Sequence, residues 1–204
     1  MTGQPRKLPF AWVTWISKLL AGENPCDFSV WFQAHYRGYD MMPDSGNMAL
    51  WTIEHTAQVK KRAEALRTAG FVVTIEDQNK GTYQSKTGLT IGFKPDIVAK
   101  CGCEMHAKGD KIVDIKTGQP RISDTVQVLL YILMTGLEAG EIYYSKTGQT
   151  LCVGKEAADK SFQRNLNEAV ERIVAVEPAL KVPGANCKFC KITKADCPER
   201  FEAA

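Results

Sequence analysis

An α/β fold, with a mixed central β-sheet flanked by helices, is the architecture this sequence predicts. Three observations carry that expectation. Helical patterns recur at residues 10–20, 26–36, 48–69, 124–136 and 156–177. Between residues 71 and 116 lies a succession of short β-rich runs separated by turn residues. A hairpin signal follows at residues 141–153, so the order is helices, a strand meander, a helix, a hairpin and a helix.

Each element has a local reason. Residues 10–20 read as a short amphipathic helix, with Trp12, Trp15 and Leu19 among its apolar positions. Gly22, Asn24 and Pro25 break it. An aromatic-rich helix resumes over 26–36, and residues 40–47 form a loop. The long helix at 48–69 stops at Gly70, where a C-cap glycine is expected. Strands are expected at 71–76, 83–85, 89–100, 104–108 and 111–116. Turn signals at Asn79 to Gly81, Thr87-Gly88, Gly102 and Gly109-Asp110 separate them. The helix at 124–136 has Ser123 or Asp124 as its cap. Strands at 141–145 and 150–153 turn around 146–149, and Pro178, Pro183 and Gly184 end the last helix.

Composition sets bounds. A chain of 204 residues with 44% hydrophobic and 24% charged residues can bury its own core and is not disordered, collagenous or a rod. A single domain is expected, with residues 1–40 and 178–204 together forming a metal-binding subregion. Net charge is +3, which permits a nucleic-acid partner without arguing for one. The apolar stretch at 126–137 is too short to cross a bilayer, so no membrane partner is expected. Arg6 and Lys7 before 8–16 imitate a signal peptide, but Lys18 interrupts the run. Seven cysteines, an odd number without a disulfide-like arrangement, fit a reducing cytoplasm.

Asp114-Ile115-Lys116 lies in an expected strand, so Asp114 and Lys116 share one face while Ile115 points into the core. Pro95-Asp96 stands upstream, within pairing reach. Two carboxylates and an ammonium then converge. Hard oxygen ligands hold Mg²⁺ or Mn²⁺, and a lysine can orient or deprotonate a water attacking a phosphodiester. Acidic-x-Lys alone carries no weight, since about two such matches arise by chance in a chain of this composition. His55, beside Glu54 on the long helix, is by itself more readily a packed residue than a ligand. Gln127 and Tyr131, four apart, share a helix face. Lys60, Lys61, Arg62, Lys188, Lys191 and Lys194 are phosphate-contact candidates, with a solvated basic face as the plainer reading.

Cys187-x2-Cys190-x6-Cys197 is a compact ligand set, and Cys26 is the candidate fourth ligand. The spacing admits zinc and an iron–sulfur cluster alike. A clip from Cys26 to the tail closes a loop of about 161 residues, worth on the order of 5 kcal/mol if treated as a cross-link. Cys101-Gly102-Cys103 with His106 is a second potential cluster, or a hairpin turn with buried thiols, and Cys152 lies in an expected strand.

The ordered set His55, Pro95-Asp96, Asp114-Ile115-Lys116 and Gln127-x3-Tyr131 resembles the RecB-type branch of the PD-(D/E)XK nucleases. One cysteine before that core and three after it resembles the branch's iron–sulfur subset, which includes the Cas-four nucleases of CRISPR adaptation and the AddB and Dna-two nuclease domains. The opening, Thr14-Trp15-Ile16-Ser17 through Cys26 to Trp31 and Tyr36, is most similar to the Cas-four group. The likeness runs from about residue 12 to residue 200. It implies a restriction-endonuclease-like core and a metal-dependent DNA exonuclease acting on single strands or DNA ends. It also implies roles. His55, Asp96, Asp114 and the Ile115 carbonyl would bind Mg²⁺ or Mn²⁺, with Lys116 as the catalytic lysine. Gln127 and Tyr131 would hold the DNA strand or the site wall. Cys26, Cys187, Cys190 and Cys197 would ligate a [4Fe–4S] cluster, and a CRISPR integrase complex or recombination proteins would be partners. The six-residue gap before Cys197, the 39–47 loop and the Cys101–Cys103 pair depart from the pattern. Two rival readings stand beside it: a non-catalytic nucleic-acid-binding or assembly module on a nuclease fold, and an unrelated Cys₄ zinc protein.

Overall fold

The computed structural model describes residues 2–43, 48–101 and 109–201. The expected strand at 104–108, together with Gly102, Cys103 and His106, lies outside the described residues, as does part of the 40–47 loop. The chain divides into two compact units. One combines residues 1–46, 83–92 and 164–204; the other holds 47–82 and 93–163.

The first unit gathers both ends of the described chain. Strand β1 (Gln4–Pro5) precedes β2 (Phe10–Trp12), helix α1 (Val13–Leu20), helix α2 (Asp27–His35) and strand β3 (Tyr36–Arg37), which pairs with β1. Residues 10–12 are thus a strand rather than the first turn of a helix. They pair in parallel with residues 90–92, and a β-carbon on Gly92 would meet the Phe10 ring at 2.6 Å and the Trp12 ring at 2.9 Å. Trp12 belongs to that sheet, while Trp15 and Leu19 lie on α1. Phe28, Trp31, Phe32 and Ile192 form a buried cluster, with Cys26, Cys190 and Cys197 packed against it. The Trp31 indole donates to the Ala175 carbonyl at 2.8 Å, and the Arg172 guanidinium meets Asp27 at 2.9 Å.

The second unit is built on helix α3 (Met48–Thr68) and a five-stranded sheet. Strands β4 (Phe71–Ile75), β5 (Gly81–Gln84), β6 (Thr90–Phe93), β7 (Ile97–Cys101) and β8 (Lys111–Lys116) follow α3 along the chain, with residues 83–92, which run from β5 into β6, belonging to the first unit. Helix α4 (Ile122–Thr135), strands β9 (Ala139–Tyr144) and β10 (Gln149–Gly154), and helix α5 (Lys160–Val174), which passes into the first unit at Arg164, complete the order. The sheet runs β10-β9-β8-β7-β4, mixed because only β8 and β9 are parallel. A parallel pair needs a crossover, and α4 supplies it. The expected α/β class with a mixed sheet flanked by helices is what the chain adopts.

Three boundaries moved for identifiable reasons. Residues 89–100 form two strands, β6 and β7, broken at Lys94-Pro95-Asp96, since proline has no N–H to continue a ladder. Helix α4 starts two residues earlier than expected. Arg121 is its N-cap, and Asp124 accepts the Arg121 N–H at 3.0 Å from the third helical position. Helix α5 starts at Lys160 because Asp159 accepts the Phe162 N–H at 2.8 Å, a capping contact.

Strand β8 is covered on both faces. Val113 and Ile115 pack with Ile97 and Ala99 against Val59, Ala63 and Leu66 of α3. The alternate positions Ile112 and Asp114 point to the other side, where α4 lies, and both are buried. That alternation places a carboxylate in an apolar wall.

Candidate active site

Strand β8 supplies the centre. Asp114 is 2% exposed and its Oδ2 lies 2.8 Å from the Lys116 Nζ. Asp124, from the first turn of α4, approaches the same ammonium at 3.5 Å. Gln127, one turn further along α4, bridges the pair. Its Oε1 accepts from Lys116 at 3.0 Å, and its Nε2 donates to Asp114 Oδ1 at 3.3 Å and to the Tyr131 hydroxyl at 2.9 Å. Tyr131 in turn donates to the Lys94 carbonyl at 3.3 Å. The Tyr144 hydroxyl donates to Asp124 Oδ2 at 3.2 Å.

The second cluster is carried by α3 and the turn before β7. Asp96 Oδ2 accepts the Ile115 N–H at 2.8 Å. His55 Nε2 stands 3.2 Å from that same oxygen and 3.2 Å from the Ile115 carbonyl. The His55 ring stacks on Trp51, and the Trp51 indole N–H donates to Thr117 Oγ1 at 3.1 Å.

Electrostatics separate the roles. Burial pushes the Asp114 carboxyl up to about 6; Lys116 opposes this, while Asp96 and Asp124 add to it. Burial penalises the Lys116 ammonium, but Asp114 more than compensates and holds its pKa above the ordinary lysine value. Burial also works against a charged His55, yet the hydrogen bond and charge of Asp96 raise its pKa. Burial lifts the Tyr131 phenol well above its ordinary value, so Tyr131 stays neutral as a hydrogen-bonding group.

The donor set suits a hard divalent cation. An octahedral shell at about 2.1 Å sets neighbouring ligand atoms about 3.0 Å apart. His55 Nε2 meets Asp96 Oδ2 and the Ile115 carbonyl at nearly that spacing. Asp114 Oδ2 is buried and, beyond its ion pair with Lys116, has no donor aligned on it as a hydrogen bond. That anionic oxygen keeps lone-pair capacity. As they lie, however, no three His, Cys, Asp or Glu side chains among the described residues are drawn together tightly enough to hold an ion.

All seven residues singled out in the sequence for this site, His55, Asp96, Asp114, Ile115, Lys116, Gln127 and Tyr131, therefore meet in one unit. Asp124, Trp51, Thr117 and Tyr144 joined them unannounced. Two had a signal: Asp124 lies three residues before Gln127, and Trp51 four before His55, both same-face spacings on a helix. Arg62, a phosphate-contact candidate, is instead engaged by Glu141 at 3.2 Å and lies over the Tyr143 ring.

In the other unit, Cys26, Cys187, Cys190 and Cys197 line one cavity, all as free thiols. Backbone N–H groups point at two sulfurs: Val182 at Cys26 Sγ, 3.4 Å, and Gly184 at Cys187 Sγ, 3.5 Å. Burial raises the pKa of Cys190 and of Cys197. Shared space, soft donors and N–H···S contacts suit a thiolate-held metal group. Cys152 is exposed on β10, apart from this set.

No family model and no curated protein matches the chain. Among solved structures it is similar to that of SSO0001, with a TM-score of 0.57 at 12% identity, over 98% of this chain and 91% of that one. This likeness is one of fold. The chain is also similar to an alkaline exonuclease (LHK-Exo) from Laribacter hongkongensis, with a TM-score of 0.49 at 13% identity, over 82% of this chain and 89% of that one. The same enzyme in complex with dAMP gives a TM-score of 0.47 at 13% identity, over 80% and 87%.

Proposed function

We propose that this chain is a Mg²⁺- or Mn²⁺-dependent deoxyribonuclease that hydrolyses phosphodiester bonds. The observation that carries this reading is one half-buried lysine bracketed by Asp114, Asp124 and Gln127, beside a His55–Asp96–Ile115 contact set of one imidazole nitrogen and two oxygen donors. His55, Asp96, Asp114 and the Ile115 carbonyl would hold the cation. When bound, it would supply Lewis-acid polarisation of the phosphate and of the attacking water. Lys116 donates a charged hydrogen bond to the attacking water or to the phosphoryl oxygen gaining charge. In the metal-free chain its carboxylate neighbours raise its pKa, which favours a hydrogen-bond donor over a base. Gln127 fixes the Lys116–Asp114 geometry, and Tyr131 fixes Gln127 against the Lys94 carbonyl.

The finer reading follows the sequence resemblance. The chain acts as an exonuclease on single strands or DNA ends, and Cys26, Cys187, Cys190 and Cys197 hold a [4Fe–4S] cluster that cross-links the N- and C-terminal segments. Its DNA partner would be processed in CRISPR adaptation or recombination, beside an integrase complex or recombination proteins. No helix among the described residues is long and apolar enough to cross a membrane.

Cleavage of end-labelled linear single- and double-stranded DNA tests the reading, with anaerobically purified protein in Mg²⁺, in Mn²⁺ and in chelator. Metal-dependent cutting that Asp114→Ala and Lys116→Ala both abolish is the expected result, and the ladder from each labelled end gives polarity. Cutting that survives Lys116→Ala removes the lysine from the chemistry. A folded, metal-supplied protein that binds DNA and cuts none is the binding-module alternative.

A further inference from the structure

The chemistry above makes no use of the open side of Trp51. Trp51 lies one turn before His55 on α3, and the two rings stack with centroids 4.9 Å apart and planes 22° from parallel. Its indole N–H is fixed on Thr117, the residue after Lys116, which is 7% exposed. The ring is therefore gripped by one face and by its nitrogen edge. Even so, 47% of Trp51 is exposed. Large aromatic rings are highly buried on average, and this one is held rigidly with its remaining surface in water.

We propose that Trp51 is a stacking platform for one unpaired nucleobase of the strand whose phosphate enters the site of His55, Asp96 and Asp114. The inference rests on the nuclease reading, which supplies that strand. An indole held in a fixed plane accepts any base, because every base has a π-face, so the platform is sequence-tolerant. A base inside a duplex has both faces stacked and must leave the helix before it can reach the ring. The platform therefore selects single strands and frayed ends. The base would stack on the open face, across the indole from His55, whose Nε2 meets Asp96 Oδ2 and the Ile115 carbonyl.

A purely structural Trp51, propping His55, would be a positioning residue and would not sense the base. Binding of short fluorescent single-stranded oligonucleotides to the full chain distinguishes the two. It is measured in chelator, with each position in turn made abasic. The expected result is one position, or two adjacent ones, where loss of the base weakens binding about 5- to 100-fold. Trp51→Ala then weakens binding of the intact strand by a similar factor and is indifferent to the base at that position. Trp51→Phe keeps most of the affinity. Trp51→Leu, which retains apolar bulk without a π-face, behaves like Trp51→Ala and covers the case in which the alanine variant misfolds. The proposal is overturned by abasic effects of equal size in the wild type and in the Trp51→Leu variant. It is equally overturned by an absence of positional dependence, or by no wild-type binding. Cleavage assays in Mg²⁺ and Mn²⁺ run in parallel. Cutting without a base-sensing Trp51 refutes the platform alone. Base-sensing binding without cutting refutes the nuclease reading and leaves the platform standing.

Discussion

Two carboxylates, Asp114 and Asp124, close on the ammonium of Lys116 at 2.8 and 3.5 Å, which in the metal-free chain favours its protonated form. The sequence left both orienting and deprotonating a water open; under the proposed function this contact favours orienting. Burial makes Asp114 a pH reporter in metal-free protein. Its folded pKa, about 6, lies above the unfolded value of about 4. Between those values the folded chain keeps a proton that the unfolded chain has released. Stability from this group is therefore complete below about pH 4 and is lost as pH rises through about 6. In chelator, denaturant titrations across that window are expected to show this fall, and Asp114→Asn to lose it. Equal slopes for both proteins would contradict the burial argument. At this scale the Asp114-x-Lys116 pair was legible, because alternation along a strand is local. Asp124 was legible only as a cap, since nothing in the sequence says that its carboxylate reaches across to β8.

At the scale of elements, α4 must lie close to β9 for Gln127 to reach β8. A β-carbon on Gly140 of β9 would stand 2.3 Å from Val128 Cγ1 of α4. Valine is stiff at χ1, so the helix must give way rather than the side chain. Gly140→Ala is expected to cost about 1–3 kcal/mol of stability by overpacking, measured by urea unfolding. It should also lower cleavage by displacing Gln127. Adding Val128→Ala should restore part of both. A neutral Gly140→Ala would mean that the α4–β9 spacing is not what positions Gln127. The helices over 48–68 and 122–135, the β8 strand and the β9–β10 hairpin were readable from periodicity and turn residues. The split of residues 89–100 had a local signal in Pro95 that the sequence reading passed over. The strand at residues 10–12 had none, because it depends on which distant segment offers hydrogen-bond partners.

At the scale of the whole molecule, both ends of the described chain and residues 83–92 belong to one unit, and the rest of the middle to the other. A metal group held by Cys26 and the tail thiols would close a loop of about 161 residues, for which chain entropy alone suggests on the order of 5 kcal/mol. Anaerobically purified protein is expected to be brown, with iron and sulfide bound. Cys190→Ser should bleach it and lower the midpoint of thermal unfolding. Colourless protein carrying zinc would replace the iron–sulfur reading with a Cys₄ zinc site. Bleached protein with an unchanged midpoint would show that the group adds no stability.

By itself the sequence determined the α/β class, most of the helices, the strand that bears Asp114 and Lys116, and some of the residues that gather around them. These rest on periodicities of two and 3.6 residues and on turn chemistry, which act over a few neighbours. Only the tertiary structure decided that His55 touches Asp96 and the Ile115 carbonyl, 60 residues away, and that Arg62 turns to Glu141. It alone decided that Trp51 stands half in water against His55. Those contacts follow from the antiparallel β7–β8 register and from how α3 beds on Val113 and Ile115. Register and helix placement are set by burial summed over the whole core, which no local stretch of sequence records.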